Sequence, residues 1–254
     1  SENSHTLVVA SAGTGKTSTI VARVIKLLKD GTHPKNIMLI TFTSKAAKEM
    51  KERIKRYIPA EIADEILVGT FHSTAMALLK RNNVSYNLHS QYDLKNIFFS
   101  NYFSYIEHSP FVDKGYAAST LFDMFLTYQV KNKGRSFGDW FQEEFPNREE
   151  HIPNLDHYKN IFDAYSTFIK KEDYIGFNEL LELARDSAEK FQDNFKEIII
   201  DEYQDTSFLQ AEYALSLKHE QLFCVGDYDQ SIYAFNGADI TIIGSFKDTF
   251  PSAS

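Results

Sequence analysis

Cysteine is almost absent from this chain: Cys224 is the only one in 254 residues. No disulfide can close within the chain, and the expected compartment is a reducing one, the cytoplasm. A basic excess is lacking too. A formal net charge of -8 argues against a protein that grips nucleic acid by bulk charge. It leaves open single-strand binding through a local basic groove and stacked aromatics. No apolar run reaches the ~20 residues that a membrane-spanning helix needs, and no charged-then-apolar leader opens the sequence. No membrane partner is therefore expected. Internal repeats and low-complexity segments are missing as well.

What is present suits one large domain or two smaller ones: 43% of residues are hydrophobic, with 21 Phe and 14 Tyr as bulky core material. Five short runs rich in β-branched residues read as buried strands: Leu7 to Ala10, Ile37 to Thr41, Ile66 to Val68, Glu197 to Ile200 and Leu222 to Val225. Ile198-Ile199-Ile200 shows no polar alternation, which suits a strand of a parallel sheet covered on both faces. Between Thr17 and Lys29 the apolar positions Ile20, Val21, Val24, Ile25, Leu27 and Leu28 recur at helical spacing, and Gly31 follows as a stop. Strands alternating with helices indicate an α/β domain. From about Asn87 to Asn194 helical signals take over. Leu155, Tyr158, Ile161, Phe162, Tyr165, Phe168 and Ile169 make one apolar stripe, and Phe177, Leu180, Leu181 and Ala184 another. This stretch reads as a helical subdomain inserted into the sheet domain, its many aromatics filling a helical core.

Ala12-Gly13-Thr14-Gly15-Lys16-Thr17 follows an expected strand and opens an expected helix. That context makes a glycine-rich string a phosphate-binding loop. Glycines let the backbone turn tightly and aim its N–H groups inward, and the helix N-terminus adds partial positive charge. In such a loop Lys16 reaches the β- and γ-phosphates and the Thr17 hydroxyl ligates Mg²⁺, with Ser18 continuing into the helix. The general pattern asks for glycine where Ala10 stands, and the competing reading is a glycine turn with an incidental Lys-Thr. Asp201-Glu202 ends the Ile198–Ile200 run, at the strand end where open α/β sheets bind ligands. Asp201 can hold Mg²⁺ directly or through water, and Glu202 can orient and deprotonate an attacking water. Together with the loop, this acidic pair points to ATP and Mg²⁺.

Four stretches then carry a family resemblance. Asp201-Glu202-Tyr203-Gln204-Asp205-Thr206 is similar to the DExQD signature of UvrD/Rep-type superfamily 1 DNA helicases. Gly226-Asp227-Tyr228-Asp229-Gln230-Ser231-Ile232-Tyr233 resembles their motif III, Thr41-Phe42-Thr43-Ser44-Lys45-Ala46-Ala47 motif Ia, and Gly69-Thr70-Phe71-His72 motif Ib. Ala10 is ordinary in that family. The resemblance covers nearly the whole chain, loosely in the helical stretch through Lys131-Asn132 and Phe177-Asn178-Glu179-Leu180-Leu181. It implies a RecA-like P-loop NTPase parallel sheet built from residues 1–86 and 195–254, with an all-helical insertion at 87–194. It implies that Gln230 senses the γ-phosphate beside Lys16 and Glu202. Phe42 would stack on a base of single-stranded DNA, and Tyr233 would touch the same strand. Thr43, Lys45, His72 and Phe235 are further DNA-contact candidates, although His72 reads equally well as a hydrogen-bonded structural residue.

Lys45, Lys48, Lys51, Arg53, Lys55 and Arg56 crowd one expected helix just after Phe42, which fits phosphate contacts. Taken alone, the run is a solvated helix face with Glu49 and Glu52 as partners. Lys131, Lys133 and Arg135 form a smaller cluster. The chain departs from the family at Phe235-Asn236, where Trp-Arg is common, at Ser18 in place of arginine, and at Asn178 in place of aspartate. The resemblance also implies an adenine-recognising glutamine ahead of Ser1. Beyond Ser254 it implies a γ-phosphate arginine, a base-stacking tyrosine and a second RecA-like domain as partner. The expectation is the first motor domain of an ATP-driven 3′ to 5′ helicase, with little turnover by itself. The alternatives are a self-sufficient P-loop ATPase and a non-catalytic single-strand-binding module; the second has no need of Glu202.

Overall fold

The computed structural model describes residues 5–9, 15–106, 114–131, 135–146 and 149–227. They form two compact units, one from residues 1–85 and 178–254 and the other from residues 86–177.

The first unit is built on a five-stranded, all-parallel sheet. Its strands are β1 (Thr6–Val9), β2 (Ile37–Ile40), β3 (Leu67–Gly69), β6 (Phe195–Ile200) and β7 (His219–Gly226), in the order β1-β7-β6-β2-β3. They correspond to the five expected runs, with bounds moved by at most three residues. Register explains why β2, β6 and β7 read as unbroken apolar runs. Leu39, Ile199 and Phe223 are aligned neighbours and join the cluster formed with α1 (Lys16–Lys29), α2 (Ser44–Lys55) and α3 (Ala60–Glu65). Met38, Ile198 and Leu222, one residue back, face the opposite side and are equally buried. Both faces of the sheet are thus covered, as a parallel sheet requires. The helices α4 (Phe71–Arg81), α9 (Phe177–Ser187) and α10 (Phe208–Ser216) complete this unit's helical layers.

One charged pair lies inside it. Glu197, fully buried on β6, accepts from Arg23 Nε at 2.8 Å, and the same guanidinium reaches Gln221 Oε1 at 3.0 Å. Burying a carboxylate requires such a fork of donors, since removing one partner would leave an uncompensated charge.

The second unit contains α5 (Gln91–Ile106), α6 (Lys114–Lys131), α7 (Phe137–Glu144) and α8 (Leu155–Lys171). Its core is aromatic: Phe98, Phe122, Phe125, Trp140, Tyr158, Phe162 and Tyr165 are buried in one cluster. Tyr165 donates its hydroxyl proton to Leu94 O at 3.0 Å, so the buried phenol is satisfied. The unit is not wholly helical. A two-residue parallel pair, β4 (Asn87–Leu88) with β5 (Tyr174–Ile175), ties its ends together. Sequence placed the return to the sheet domain near 194, whereas the units divide at 177/178. The cause is α9, whose Leu180, Leu181 and Ala184 are buried and whose residues from Asn178 onward cluster with the first unit. A stripe at helical spacing says that a helix buries one face; it does not say against which body. No helix among the described residues is long and apolar enough to cross a membrane.

Candidate active site

Parallel register brings the chemistry to one edge. Val9 lies beside Gly226, Cys224 beside Ile200, and Ile200 beside Ile40, which in turn pairs with Gly69. The residues that follow each strand therefore leave the sheet from the same C-terminal edge, where open α/β folds bind ligands. Backbone bonds extend the alignment past the strands: Asp201 N–H donates to Ile40 O, and Thr41 N–H donates to Gly69 O, both at 2.9 Å.

Gly15 caps α1 in the left-handed region, φ 93° and ψ 23°, a conformation glycine adopts without strain. Lys16 and Thr17 open the helix. The Lys16 side chain is only 11% exposed; its Nζ lies 2.8 Å from Glu202 Oε2 and 4.0 Å from Asp227 Oδ2. Glu202 has φ 50° and ψ 48°, left-handed for a non-glycine residue, a strain of ~1–3 kcal/mol typical of functional sites. The turn is held at both ends, because Glu202 N–H donates to Asp201 Oδ1 at 3.0 Å and Asp205 N–H donates to Glu202 O at 2.9 Å. Gln204 Nε2 is a second donor to Glu202 Oε2, at 2.9 Å, and Gln204 Oε1 accepts from Asp227 N–H, also at 2.9 Å. Sequence reading had assigned neither Gln204 nor Asp227 a role of its own.

Asp201 sits at the head of this turn. Burial, followed by the neighbouring Glu202 charge, pushes its carboxyl up to about 6. Burial and Glu202 also raise Asp205. Such a carboxylate gains from a cation. Among the described residues no group of three or more His, Cys, Asp or Glu could hold a metal ion unaided. The donor set nevertheless fits Mg²⁺, which is commonly held by one or two carboxylates with the remaining positions filled by phosphate oxygens and water. Asp201 and the Thr17 hydroxyl are oxygen donors of that kind. Ser18, in the first turn of α1, lines a cleft of about 240 Å³ with Val21, Ala22, Ile25, Arg53, Arg56 and Tyr57.

The strand ends beyond β2 and β3 carry the residues expected to meet DNA. Phe42 is 41% exposed, so it is not a core aromatic. Thr43 caps α2, its hydroxyl accepting from Ala46 N–H at 3.1 Å. His72 is half-buried in the first turn of α4. That helix starts with a capping box in which Thr70 and Ser73 satisfy each other's backbone N–H groups. A Cβ at Gly69 would overlap the Ser73 hydroxyl, which accounts for the glycine. The basic face of α2 divides in two. Lys51 and Lys55 pair with Asp64 on α3 at 3.0 and 3.1 Å, and Arg53 pairs with Glu49 at 2.7 Å. Lys45 and Lys48 are exposed and enter no ion pair among the described residues. Ala12, Gly13, Thr14, Gln230, Tyr233 and Phe235 lie outside the described residues.

The family model for the UvrD/REP helicase N-terminal domain matches residues 1–251. The chain is 29% identical over 269 residues to the ATP-dependent DNA helicase PcrA of Leuconostoc citreum, covering 97% of this chain and 34% of the relative. It is 30% identical over 260 residues to the ATP-dependent DNA helicase Rep of Buchnera aphidicola, covering 97% of this chain and 37% of the relative. To PcrA of Staphylococcus aureus it is 29% identical over 266 residues, covering 98% and 34%. The chain thus spans little more than a third of the length of the curated relatives it matches. With its parallel sheet and with Lys16 held against the acidic strand end, the chain belongs to the UvrD/REP helicase N-terminal domain family.

Proposed function

We propose that residues 1–254 are the first motor domain of an ATP-dependent DNA helicase. In this reading Lys16, Thr17, Asp201 and Glu202 hold and hydrolyse Mg²⁺-ATP, while Phe42, Thr43 and Lys45 meet single-stranded DNA. The single observation that carries it is the convergence of Lys16 on Glu202, 2.8 Å apart across 186 residues of sequence, in a chain of this family. A non-catalytic binding module has no use for a carboxylate held beside the phosphate-loop lysine.

Bound Mg²⁺-ATP supplies a γ-phosphoryl group open to attack by water. Lys16 would neutralise charge on the β- and γ-phosphates, drawing away from Glu202 as it does so. Asp201 and Thr17 would hold the cation. Both donors found on Glu202 sit on Oε2, so Oε1 is the oxygen left to orient the water and take its proton. Ser18 and its cleft would lie toward the nucleoside end. Gln230 would report the γ-phosphate to the DNA side, with Tyr233 and Phe235 as contacts there. A second RecA-like domain would close the site from the other face. The 3′ to 5′ direction follows the family resemblance, and the cytoplasmic location follows from the single cysteine.

The test is Glu202→Gln in the full-length helicase. Nucleotide affinity should stay near that of wild type while kcat falls ~10²–10⁴-fold, the usual contribution of a general base. Turnover at the wild-type rate would reduce Glu202 to a structural residue and remove the reading's centre.

A further inference from the structure

We infer that Gln204 is a positioning residue for hydrolysis: its side-chain amide ties the Glu202 carboxylate to the backbone of Asp227 at the end of the neighbouring strand. The inference rests on the reading of Glu202 as the base. Gln204 is 3% exposed, and both ends of its amide are used. Nε2 donates to Glu202 Oε2 and Oε1 accepts from Asp227 N–H, each at 2.9 Å, with a longer bond from Nε2 to Asp205 Oδ2 at 3.4 Å. The orientation is fixed by its partners. A flipped amide would set its carbonyl against a carboxylate and its NH₂ against a backbone N–H.

Glu202 needs such an anchor. Its side chain is one-third exposed, free to explore rotamers, and its other close donor is Lys16, the group that phosphate oxygens would draw away. Gln204 carries no charge and has no reason to follow the phosphate. It is the donor that stays, holding Oε2 while Oε1 faces the water. Its far end rests on Asp227, whose carboxylate lies 4.0 Å from Lys16. A shift of β7's end would therefore be felt at Glu202 through a single side chain.

The experiment is a double-mutant cycle in the full-length helicase, reading ATPase kcat, binding of a fluorescent ATP analogue with Mg²⁺, and melting temperature. Gln204→Met keeps approximate length but loses all three hydrogen bonds of the amide. Gln204→Glu keeps the volume and the acceptor for Asp227 N–H while placing an anion against Glu202. Each should lower kcat ~10²-fold, the scale of a misplaced catalytic group, with analogue affinity changed less than ~3-fold. In a Glu202→Gln background, Gln204→Met should cost at most ~3-fold more, since residues acting through one another are not additive. An equal loss in both backgrounds overturns the inference, because Gln204 would then act on the fold rather than on Glu202. Wild-type kcat in both single variants overturns it also. If Gln204→Met melts early, Gln204→Glu decides alone, by the presence or absence of its kcat loss. Wild-type turnover by Glu202→Gln alone overturns the assignment of the base and this inference with it, whereas slow Glu202→Gln beside unimpaired Gln204 variants overturns only the latter.

Discussion

Asp201 shows what a single residue is asked to tolerate. Its carboxyl is pushed from 3.8 up to about 6 by burial and by the Glu202 charge beside it. The folded state thus holds the proton more tightly than the unfolded one. That preference stabilises the fold fully below 3.8 and is lost as pH rises through about 6. At neutral pH the ionised group works against folding by roughly 3 kcal/mol, at 1.36 kcal/mol per pKa unit. Asp201→Asn keeps an acceptor for Glu202 N–H and removes the charge. In metal-free buffer it should therefore raise stability in urea titrations at about pH 7.5 by ~1–3 kcal/mol, a gain that fades toward about pH 4. No gain at the higher pH would mean that the carboxylate is not under this strain. The same change should abolish Mg²⁺-dependent nucleotide binding, so stability and function pull in opposite directions at one side chain.

At the scale of elements, the turn from β2 into α2 sets how far Phe42 is exposed, which the proposed stacking on DNA requires. The strand ends at Ile40, Thr41 is bonded back to Gly69, and Thr43 caps the helix. Phe42 is left between two fixed points with 41% of its surface exposed. Phe42→Ala should leave the melting temperature within a few degrees of wild type. It should weaken single-stranded DNA binding by the full-length helicase by ~1–3 kcal/mol, equally for homopolymers of different base, since stacking carries little base identity. A collapse of the melting temperature would show the ring to be a packing element instead. The lysines of α2 sort on the same ground. Lys51 and Lys55 are tied to Asp64, whereas Lys45, Lys48 and Arg56 are exposed and enter no ion pair among the described residues; on the proposed reading these three would meet phosphates.

For the whole molecule, the relevant proportion is that this chain covers about a third of its curated relatives. On the proposed reading, Lys16, Thr17 and Asp201 would reach a phosphoryl group from one side only. A cation supplied from the other side typically accelerates such a transfer ~10³–10⁵-fold. Residues 1–254 assayed by themselves should hydrolyse ATP barely above background, even with saturating single-stranded DNA. A form extended through the second RecA-like domain should restore turnover. Equal rates for the two would favour a self-sufficient ATPase.

The sequence alone determined the strands, the first helix and the acidic strand end, because each is a local pattern. An apolar run such as Ile198–Ile200 has to be a buried strand wherever it packs, and Gly15-Lys16-Thr17 opens a helix from its own chemistry. The acidic strand end made Glu202 a candidate, and the family resemblance Phe42, before any contact was known. Tertiary structure decided the rest. Sheet order placed β7 between β1 and β6, so Asp227 came to face Lys16, and α9 went to the sheet unit rather than to the helical one. It also buried Gln204 between two strand ends and joined Arg23 to Glu197 across 174 residues. No periodicity encodes such pairings. A hydrophobic pattern records that a face is covered, but the partner that covers it is set by register and crossover, which are properties of the assembled sheet.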